Sequence, residues 1–225
     1  MSEPPIAGLI LAAGASRRMG TPKALLRIQG ETFLDRLIGV FSHRLSPVIA
    51  VGGQAFSLPS RPAVTFAINP DPERGMLSSL QCGLQELPST SAGVVFTPVD
   101  YPAIRSATVE RIIAAFRSHA CDVVIPVCGE IHGHPVCVSR RVIHDLLKLP
   151  VTAQARDTIR QYRDRTVFVE VEDPGITADV DTPEDYQRSL EMWHRHSCLC
   201  WSSNKTQSRF TRAGMPLRTI VPMSR

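Results

Sequence analysis

The sequence predicts an α/β protein: a single-domain, three-layer α/β/α sandwich around a mostly parallel, Rossmann-like sheet. Short apolar runs of strand length alternate along the chain with amphipathic stretches of helical length. The apolar runs are nearly continuous, which is typical of strands that are buried on both faces of a parallel sheet. We therefore expect ligands to bind at the carboxyl ends of the strands.

In the first half of the chain, breaker residues separate the elements. The first strand runs into a loop of small residues, and two glycines follow the second strand. A cluster of Asn, Pro, Asp and Pro follows the third strand, and apolar side chains at helical spacing mark the helices. The elements expected here are strand Ile6–Leu11, helix Thr32–His43, strands Pro47–Val51 and Val64–Ile68, helix Met76–Leu87 and strand Gly93–Thr97.

The second half continues the alternation and closes with a capped helix. Thr182, Pro183 and two acidic residues are typical of a helix start, with a cap, a proline in the first position and charges that favour the amino end. The elements expected here are helix Ala107–Ser118, strands Asp122–Pro126 and Pro135–Val138, helices Arg141–Leu149 and Ala153–Tyr162, strand Val167–Val171 and helix Pro183–Met192.

The periodic pattern ends after Met192. We predict one domain over residues 1–192 and a basic, disordered tail over residues 193–225. The tail holds six of the 25 basic residues and no acidic residue, which leaves 19 basic against 21 acidic residues in the domain. The positive net charge therefore belongs to the tail, and we expect no nucleic-acid partner.

Two features that the sequence lacks indicate where in the cell we expect the protein. No apolar run approaches the ~20 residues that a membrane span needs, and the start of the chain shows no basic and apolar leader pattern. We expect a cytoplasmic protein without membrane association.

The loop that follows the first strand predicts a polyphosphate site. Arg17 and Lys23 supply positive charge, and we predict that both act in catalysis. The spacing between Gly14 and Gly20 fits neither the Walker loop nor the dinucleotide-binding fingerprint. Small side chains leave the backbone N–H groups open to a bulky anion, so we expect a nucleotide to contact Leu11, Ala12, Ala13 and Gly14.

Two carboxylates predict a magnesium site beside this loop. Asp100 ends a buried strand, and Asp181 precedes the cap of the last helix. Mg²⁺ favours one or two carboxylates together with water and phosphate oxygens. The alternatives for Asp100 are a helix cap or an ordinary surface acid at the end of a strand, and the alternative for Asp181 is a structural role.

Two further segments predict contacts with small molecules. Asn69, Gly75, Ser78 and Ser79 surround the start of a helix and are assigned to recognition of the nucleobase edge, with simple helix capping as the alternative. His132 to Val136 are expected to form a turn that enters a strand, with His134 facing an acceptor substrate; a metal site formed by His132 and His134 is the alternative.

These motifs resemble those of a known family. The chain is similar to nucleotidyltransferases with an α/β sandwich core, in the MobA-like NTP-transferase branch, and among these to molybdenum cofactor cytidylyltransferases. The resemblance runs from about Ile6 to Tyr186. It rests on five segments: Leu11 to Lys23, Asn69 to Leu80, Pro98 to Pro102, Gly133 to Val136 and Asp179 to Asp185.

The resemblance implies a fold of the nucleotide-diphospho-sugar transferase type and a Mg²⁺-dependent transfer of a nucleoside monophosphate. It implies that Arg17 and Lys23 bind phosphate and that Asp100 binds Mg²⁺. Ala13 stands where guanylyl-transferring relatives have glycine, which favours CTP over GTP. The implied acceptor is a phosphorylated small molecule, molybdopterin or the molybdenum cofactor, and the implied protein partner is a molybdoenzyme or a chaperone.

The acceptor and the chemistry have alternatives. Residues 150–156 keep only Ala155 and Arg156 of the family's Gly-Asp-x-Gly-Ala-Arg motif, which leaves a sugar- or polyol-phosphate open as the acceptor. A nucleotide-binding module without turnover is the other alternative. The absence of an obvious acid–base pair fits nucleotidyl transfer, because an ionised phosphate needs no general base and positioning with charge neutralisation carries the catalysis.

Overall fold

The computed structural model describes residues 3–14, 16, 19–54, 61, 64–150 and 152–199, and of residues 192–199 the backbone alone. The strands are β1 (Ile6–Leu11), β2 (Arg27–Ile28), β3 (Glu31–Thr32), β4 (Val48–Gly53), β5 (Val64–Asn69), β6 (Gly93–Pro98), β7 (Val123–Cys128), β8 (Ile131–His132), β9 (Val136–Ser139) and β10 (Thr166–Glu170). The helices are α1 (Phe33–Ser42), α2 (Met76–Gln85), α3 (Ser106–Ser118), α4 (Arg140–Lys148), α5 (Ala155–Gln161) and α6 (Pro183–Leu199).

An eight-stranded sheet forms the middle layer, in the order β10-β7-β9-β6-β1-β4-β5, with β8 paired to β7. All pairs are parallel except those of β9 with its two neighbours and of β8 with β7. The prediction of a mostly parallel sheet is confirmed. The reversed direction of β9 was not predicted, because a strand pattern carries no information about direction.

The helices cover both faces of the sheet, which confirms the three-layer architecture. Adjacent residues of β1 show this, because strand side chains alternate between faces. Leu9 belongs to a core cluster that includes Leu80 and Leu146, whereas Ile10 belongs to a separate cluster that includes Phe33. Each of these side chains is almost fully buried, and burial stabilises the fold by roughly 1.5–3 kcal/mol per large apolar side chain.

Several helix boundaries differ from the prediction. Thr32 is the cap of α1 and not its first residue, since its side-chain oxygen accepts a hydrogen bond from the Asp35 N–H at 3.0 Å. Helix α6 continues to Leu199, seven residues beyond its expected end, because residues 193–199 contain neither proline nor glycine to stop it. Residues 200–225 of the predicted tail lie outside the described residues.

Two short hairpin segments escaped prediction. The pair β2–β3 and the strand β8 have only two residues per strand, too few to show a period. Cys82, Cys121, Cys128 and Cys137 are free thiols. None of the helices described here is both long enough and apolar enough to cross a membrane.

Candidate active site

The strand order brings two site-bearing loops together. Strands β1 and β6 are parallel neighbours, and their last residues, Leu11 and Pro98, are paired in register. The Val99 N–H continues this contact by donating to the Leu11 carbonyl oxygen at 2.9 Å. The loop after β1 and the acidic residue after β6 therefore emerge at the same edge of the sheet.

The segment before α6 joins them from a distant part of the sequence. The Val180 N–H donates to the carbonyl oxygen of Asp100 at 2.9 Å. This backbone bond places the next residue, Asp181, beside Asp100. The structure thus brings together the two carboxylates that were predicted to bind a metal.

Lys23 lies between these two carboxylates. Its Nζ donates to Asp100 Oδ2 at 3.1 Å and to Asp181 Oδ1 at 2.5 Å, and the lysine side chain is largely buried. Burial by itself lowers the pKa of Lys23, but the hydrogen bond to Asp181 and the charge of Asp100 outweigh it, so the pKa lies above its usual value. The ammonium group therefore stays protonated at neutral pH.

Asp100 has an oxygen that is available to a ligand. Oδ1 is buried and accepts no hydrogen bond from the described residues. Burial raises the pKa of Asp100, and the neighbouring Lys23 charge only partly offsets this effect. Among the described residues no group of three or more His, Cys, Asp or Glu side chains converges, so the acidic part of the site consists of this pair of aspartates.

The loop after β1 wraps around Lys23 through Ser16. Ser16 Oγ accepts a hydrogen bond from the Lys23 N–H at 2.9 Å, and the Ser16 carbonyl oxygen accepts from the Met19 N–H at 2.9 Å. A Cβ added at Gly14 would meet no atom of the described residues within 4 Å, which fits the predicted phosphate cradle. Ser16 was missed by the sequence reasoning.

The loop after β1 also carries Ala12 and Arg17, which were both predicted to contact the nucleotide. The N–H of Ala12 donates to the Val51 carbonyl oxygen at 2.8 Å, and its side chain belongs to the core. Ala12 therefore supports β1 and does not offer its amide to a nucleotide, which corrects the prediction. Arg17 lies outside the described residues, so its phosphate contact stays a prediction.

These elements enclose a cavity of about 500 Å³ that we call the Lys23 cavity. It contains Leu11, Ala13 and Gly14 from the predicted cradle, together with both aspartates. Its full lining is Leu11, Ala13, Gly14, Ser16, Met19, Lys23, Met76, Ser79, Pro98, Val99, Asp100 and Asp181.

The four residues predicted to read a nucleobase have different roles. Asn69 is buried, and its Nδ2 donates to Ser78 Oγ at 2.8 Å and to Ser79 Oγ at 2.9 Å. Ser78 in turn donates to the carbonyl oxygen of Gly75 at 2.8 Å, so its hydroxyl is engaged within the protein. Gly75 has φ +94°, a left-handed conformation that glycine adopts readily, where it begins α2.

Only Ser79 of these four lines the Lys23 cavity. Asn69, Gly75 and Ser78 hold the start of α2 in place, as the capping alternative expects, and their contact with a nucleobase stays a prediction. The Ser79 hydroxyl accepts from Asn69 and donates to none of the described residues. Its proton is therefore available to a molecule in the Lys23 cavity.

A second and larger cavity, of about 820 Å³, lies on the β9 and β7 side of the first. We call it the His134 groove. Met76 lines both cavities, and the adjacent residues Asp100 and Tyr101 line one cavity each, which makes the two spaces neighbours. The groove is lined by Met76, Phe96, Tyr101, Ile125, Ile131, His132, Gly133, His134, Val136, Ala155, Arg156, Ile159, Arg160, Arg163, Thr166, Phe168, Ile176 and Thr177.

His134 packs against aromatic rings in this groove. Its ring centre lies 4.7 Å from that of Tyr101 and 6.3 Å from that of Phe96. Burial lowers the pKa of His134 to about 4, so the imidazole is neutral at physiological pH. Its Nδ1 is buried and has no hydrogen-bond partner among the described residues, which fits a contact with a bound molecule.

The segment that carries Asp181 also forms part of the groove. Ile176 contributes its side chain to the lining, and its carbonyl oxygen accepts from the His134 N–H at 2.9 Å. A Cβ at Gly133 would lie 2.2 Å from this carbonyl oxygen, so only glycine allows the close approach. The sequence analysis assigned no functional role to Tyr101 or to Arg160 and Arg163. The spacing of Arg156 and Arg160 was a usable signal, because residues four apart share a helix face.

Comparison with known proteins places the chain among nucleotide-using enzymes. Residues 8–166 match the family model of the MobA-like NTP transferase domain. The molybdenum cofactor cytidylyltransferase of Escherichia coli is 28% identical over 190 residues, which cover 82% of this chain and 95% of that protein. A probable molybdenum cofactor guanylyltransferase of Rhodopirellula baltica is 34% identical over 128 residues, but these span only 61% of its length and 54% of this chain.

Solved structures show the same architecture. The crystal structure of Rv0371c from Mycobacterium tuberculosis has a TM-score of 0.71 and 29% identity, and the match covers 85% of this chain and 100% of that one. A second structure of Rv0371c, in complex with manganese, has a TM-score of 0.63 and 26% identity over 84% of this chain and 100% of that one.

Proposed function

The chain belongs to the family of MobA-like NTP transferase domains, which are nucleotidyltransferases, and we propose that it transfers CMP from CTP to a phosphorylated small molecule and releases pyrophosphate. The observation that carries the proposal is the position of Lys23. It joins the loop after β1 to the carboxylates of Asp100 and Asp181 in the wall of a cavity of about 500 Å³.

The residues of the Lys23 cavity fit a nucleoside triphosphate. Gly14 leaves space for a bulky anion, and Lys23 supplies a protonated ammonium group. Ser79 offers a hydroxyl proton that no described residue accepts. We assign Leu11, Ala13, Gly14 and Ser79 to nucleotide binding and keep Arg17 as a further phosphate ligand.

The two aspartates fit Mg²⁺, and we propose that they hold it. Mg²⁺ prefers one or two carboxylates, and the buried Oδ1 of Asp100 has no partner among the described residues. When bound, the ion supplies positive charge that stabilises the negatively charged phosphate oxygens. The manganese complex of Rv0371c supports a divalent cation in this family.

The proposed reaction is an in-line exchange at phosphorus. An oxygen of the acceptor phosphate forms a bond to the α-phosphorus of CTP, and the bond from that phosphorus to the α–β bridging oxygen breaks. Its electron pair leaves with pyrophosphate. Because the second pKa of a phosphate monoester is about 6, the attacking oxygen is already ionised and no general base is required.

We propose that the acceptor binds in the His134 groove and is the molybdenum cofactor in its molybdopterin form. The two relatives described above are named for action on this cofactor. Tyr101 and His134 line the groove next to Asp100, so an acceptor phosphate in the groove is adjacent to a nucleotide in the Lys23 cavity. The neutral imidazole offers Nδ1 to the acceptor.

Two features support CTP as the donor. Ala13 lines the Lys23 cavity, and the family resemblance implies glycine at this position in guanylyl-transferring relatives. The cytidylyltransferase of E. coli also aligns over nearly its whole length, whereas the R. baltica guanylyltransferase aligns over 61%. We further propose that the reaction takes place in the cytoplasm and that a molybdoenzyme or its chaperone receives the product.

The test measures pyrophosphate release with CTP, GTP or UTP against molybdopterin, the molybdenum cofactor and methylerythritol phosphate. We expect the highest kcat/KM for CTP with the cofactor. Asp100→Asn should lower this value at least about 100-fold, because the variant loses a carboxylate proposed to hold the Mg²⁺ whose positive charge stabilises the transition state. Glu110→Gln, an exposed acidic residue on α3, is the matched control and should leave the rate unchanged.

The role of Asp100 is overturned if Asp100→Asn keeps near wild-type activity. A preference for methylerythritol phosphate would move the function to the alternative acceptor class. Binding of CTP without pyrophosphate release from any pair would identify a nucleotide-binding module.

A further inference from the structure

One segment of the chain contributes to both cavities. Residues 171–181, which we call the crossing segment, join the end of β10 to the start of α6. Ile176 of this segment lies in the wall of the His134 groove, and Asp181 lies in the wall of the Lys23 cavity. The position of the crossing segment therefore affects both spaces.

The length of the crossing segment does not fix this position. Strands β10 and β6 run in the same direction, and the register places their last residues, Glu170 and Pro98, at the same level. Three strand spacings, about 14 Å, separate these two ends. Residues 171–181 could span about 36 Å when extended, more than twice the distance to be crossed. Contacts made by the crossing segment must therefore determine where Asp181 lies.

Asp173 attaches the crossing segment to the start of α3. Its side chain is buried, and Oδ2 accepts hydrogen bonds from the Arg105 N–H at 2.9 Å and from the Thr108 hydroxyl at 2.6 Å. Both donors lie at the amino end of α3, where the helix dipole favours a negative charge. Oδ1 accepts from the Gly175 N–H at 3.0 Å and so closes the turn Pro174–Ile176. One carboxylate oxygen thus fixes the segment to the helix, and the other shapes the segment.

The turn that Asp173 closes packs against the loop between β6 and α3. A Cβ added at Gly175 would collide with the carbonyl oxygen of Ala103, so only glycine allows this approach. Ala103 lies three residues after Asp100 in the same loop. The turn is therefore held against the loop that carries the first carboxylate of the site.

The remainder of the crossing segment continues from this turn to the site. Ile176 is fully buried, and its carbonyl oxygen accepts from the His134 N–H at 2.9 Å. The Val180 N–H then donates to the Asp100 carbonyl oxygen at 2.9 Å, immediately before Asp181. A displaced turn would thus move one wall of the groove and one carboxylate together.

Building on the proposed function, we propose that Asp173 is a positioning residue for both the metal and the acceptor. It contacts neither of them. Through the crossing segment it holds Asp181 beside Asp100 and keeps Ile176 in the wall of the His134 groove.

Electron paramagnetic resonance of free Mn²⁺, without nucleotide, tests the effect on the metal site. Asp173→Asn keeps the size of the side chain, but its amide can accept from only one of the two backbone N–H groups, those of Arg105 and Gly175. The affinity for Mn²⁺ should fall about tenfold, because the group that orients a metal ligand is disturbed.

Two variants of Thr108 repeat the test from the other side of the hydrogen bond. Thr108→Val removes the hydroxyl donor and keeps the shape, so the Mn²⁺ affinity should fall about fivefold. Thr108→Ser keeps the donor and should bind Mn²⁺ within about twofold of the wild type. If Asp173→Asn does not fold, this pair decides, and equal Mn²⁺ affinities of the two Thr108 variants overturn the proposal.

Asp122→Asn separates positioning from stability. Asp122 is also a buried carboxylate that accepts from a hydroxyl, that of Ser139 at 2.6 Å, but it precedes β7 at the opposite end of the strands from the site. Asp122→Asn should lower the melting temperature, as Asp173→Asn does, and leave the Mn²⁺ affinity unchanged. An equal loss of Mn²⁺ affinity in both variants, or no loss in folded Asp173→Asn, overturns the proposal.

Kinetics at saturating Mg²⁺ test the effect on the acceptor. With the molybdenum cofactor as acceptor, Asp173→Asn should raise the acceptor KM about tenfold and change the CTP KM by less than about twofold. The reason is that Gly14 and Ser79, which are assigned to the nucleotide, lie outside the crossing segment. An unchanged acceptor KM overturns the joint role.

The outcomes distinguish this inference from the proposed function. Binding of Mn²⁺ requires no turnover. A wild-type protein that binds Mn²⁺ but releases no pyrophosphate contradicts the proposed function, and the Mn²⁺ affinities of the variants still decide whether Asp173 positions Asp181. A wild-type protein that does not bind Mn²⁺ overturns the metal site and the role of Asp173 together.

Discussion

The chemistry of single residues in this protein depends on what surrounds them. Lys23 and Asp100 were both predicted as site residues from the loops that carry them, yet only the structure shows that their side chains are in contact. The sequence predicted that His134 faces an acceptor, but its neutral state follows from burial among aromatic rings. Residue type predicted the candidates, and the environment decided their protonation.

The burial of His134 predicts a dependence of stability on pH. Its folded pKa of about 4 lies below the unfolded value of 6.5, so its contribution is present above pH 6.5 and is lost as the pH falls toward 4. Between pH 7.5 and pH 5 the free energy of unfolding should decrease by about 2 kcal/mol from this group. Urea unfolding of wild-type and His134→Gln proteins at both pH values measures the difference.

His134→Gln should lose less stability than the wild type over this range, since it cannot accept the proton. His144→Gln removes an exposed histidine on α4 and serves as the control. Equal losses in the wild-type and His134→Gln proteins would show that His134 does not drive the change.

At the scale of an element, the start of α6 positions one of the carboxylates. Asp185 Oδ2 accepts from the N–H of Asp181 at 3.2 Å and from the N–H of Thr182 at 2.9 Å. The hydrogen bonds from Thr182 and the pairing with Arg188 lower the pKa of Asp185 to about 2, so it is ionised throughout the physiological range. The predicted helix cap is confirmed. The Asp185 side chain at this cap also orients Asp181, the residue that precedes the cap.

Replacement of Asp185 should therefore weaken metal binding while both proposed metal ligands, Asp100 and Asp181, stay in place. We expect Asp185→Ala to lower the affinity for Mn²⁺ about tenfold, as is typical when a partner that orients a ligand is lost. Electron paramagnetic resonance of free Mn²⁺ measures this in the absence of nucleotide. Asp185→Asn keeps an acceptor oxygen and should restore part of the affinity.

Arg188→Ala is the matched control, because Arg188 contacts the other oxygen of Asp185 and leaves the bonds to residues 181 and 182 intact. It should bind Mn²⁺ within about twofold of the wild type, as expected for an exposed ion pair. If Asp185→Ala also binds Mn²⁺ normally, Asp185 does not act through Asp181.

At the scale of the whole molecule, the described site residues fall between residues 11 and 181, while α6 extends to Leu199. The predicted boundary at residue 192 would cut this helix two turns early, so Leu199 is the better end point for a shortened chain. The sequence after it contains five of the six basic residues that follow Met192.

A chain that ends at Leu199 should keep kcat/KM for nucleotidyl transfer within about twofold, because none of the described site residues is removed. It should bind more weakly to a heparin column at low salt, since five positive charges are lost. A decrease in kcat/KM of more than tenfold, with an unchanged melting temperature, would show that residues 200–225 contribute to catalysis.

The sequence by itself determined the alternation of strands and helices, the family, and most of the residues around the Lys23 cavity. These properties depend on local signals: apolar runs, breakers, small residues after β1, and a carboxylate directly after β6. The comparisons with known proteins confirm the nucleotidyltransferase class that these local signals predicted.

Only the tertiary structure decided which of these residues meet. It placed Ser79, but not its neighbours Asn69 and Ser78, in the wall of the Lys23 cavity. It also brought Asp181 to Lys23 and placed the α5 arginines in the same groove as His134. The reason is physical: hydrogen bonds and cavities depend on contacts between residues far apart in the chain, which local periodicity does not encode.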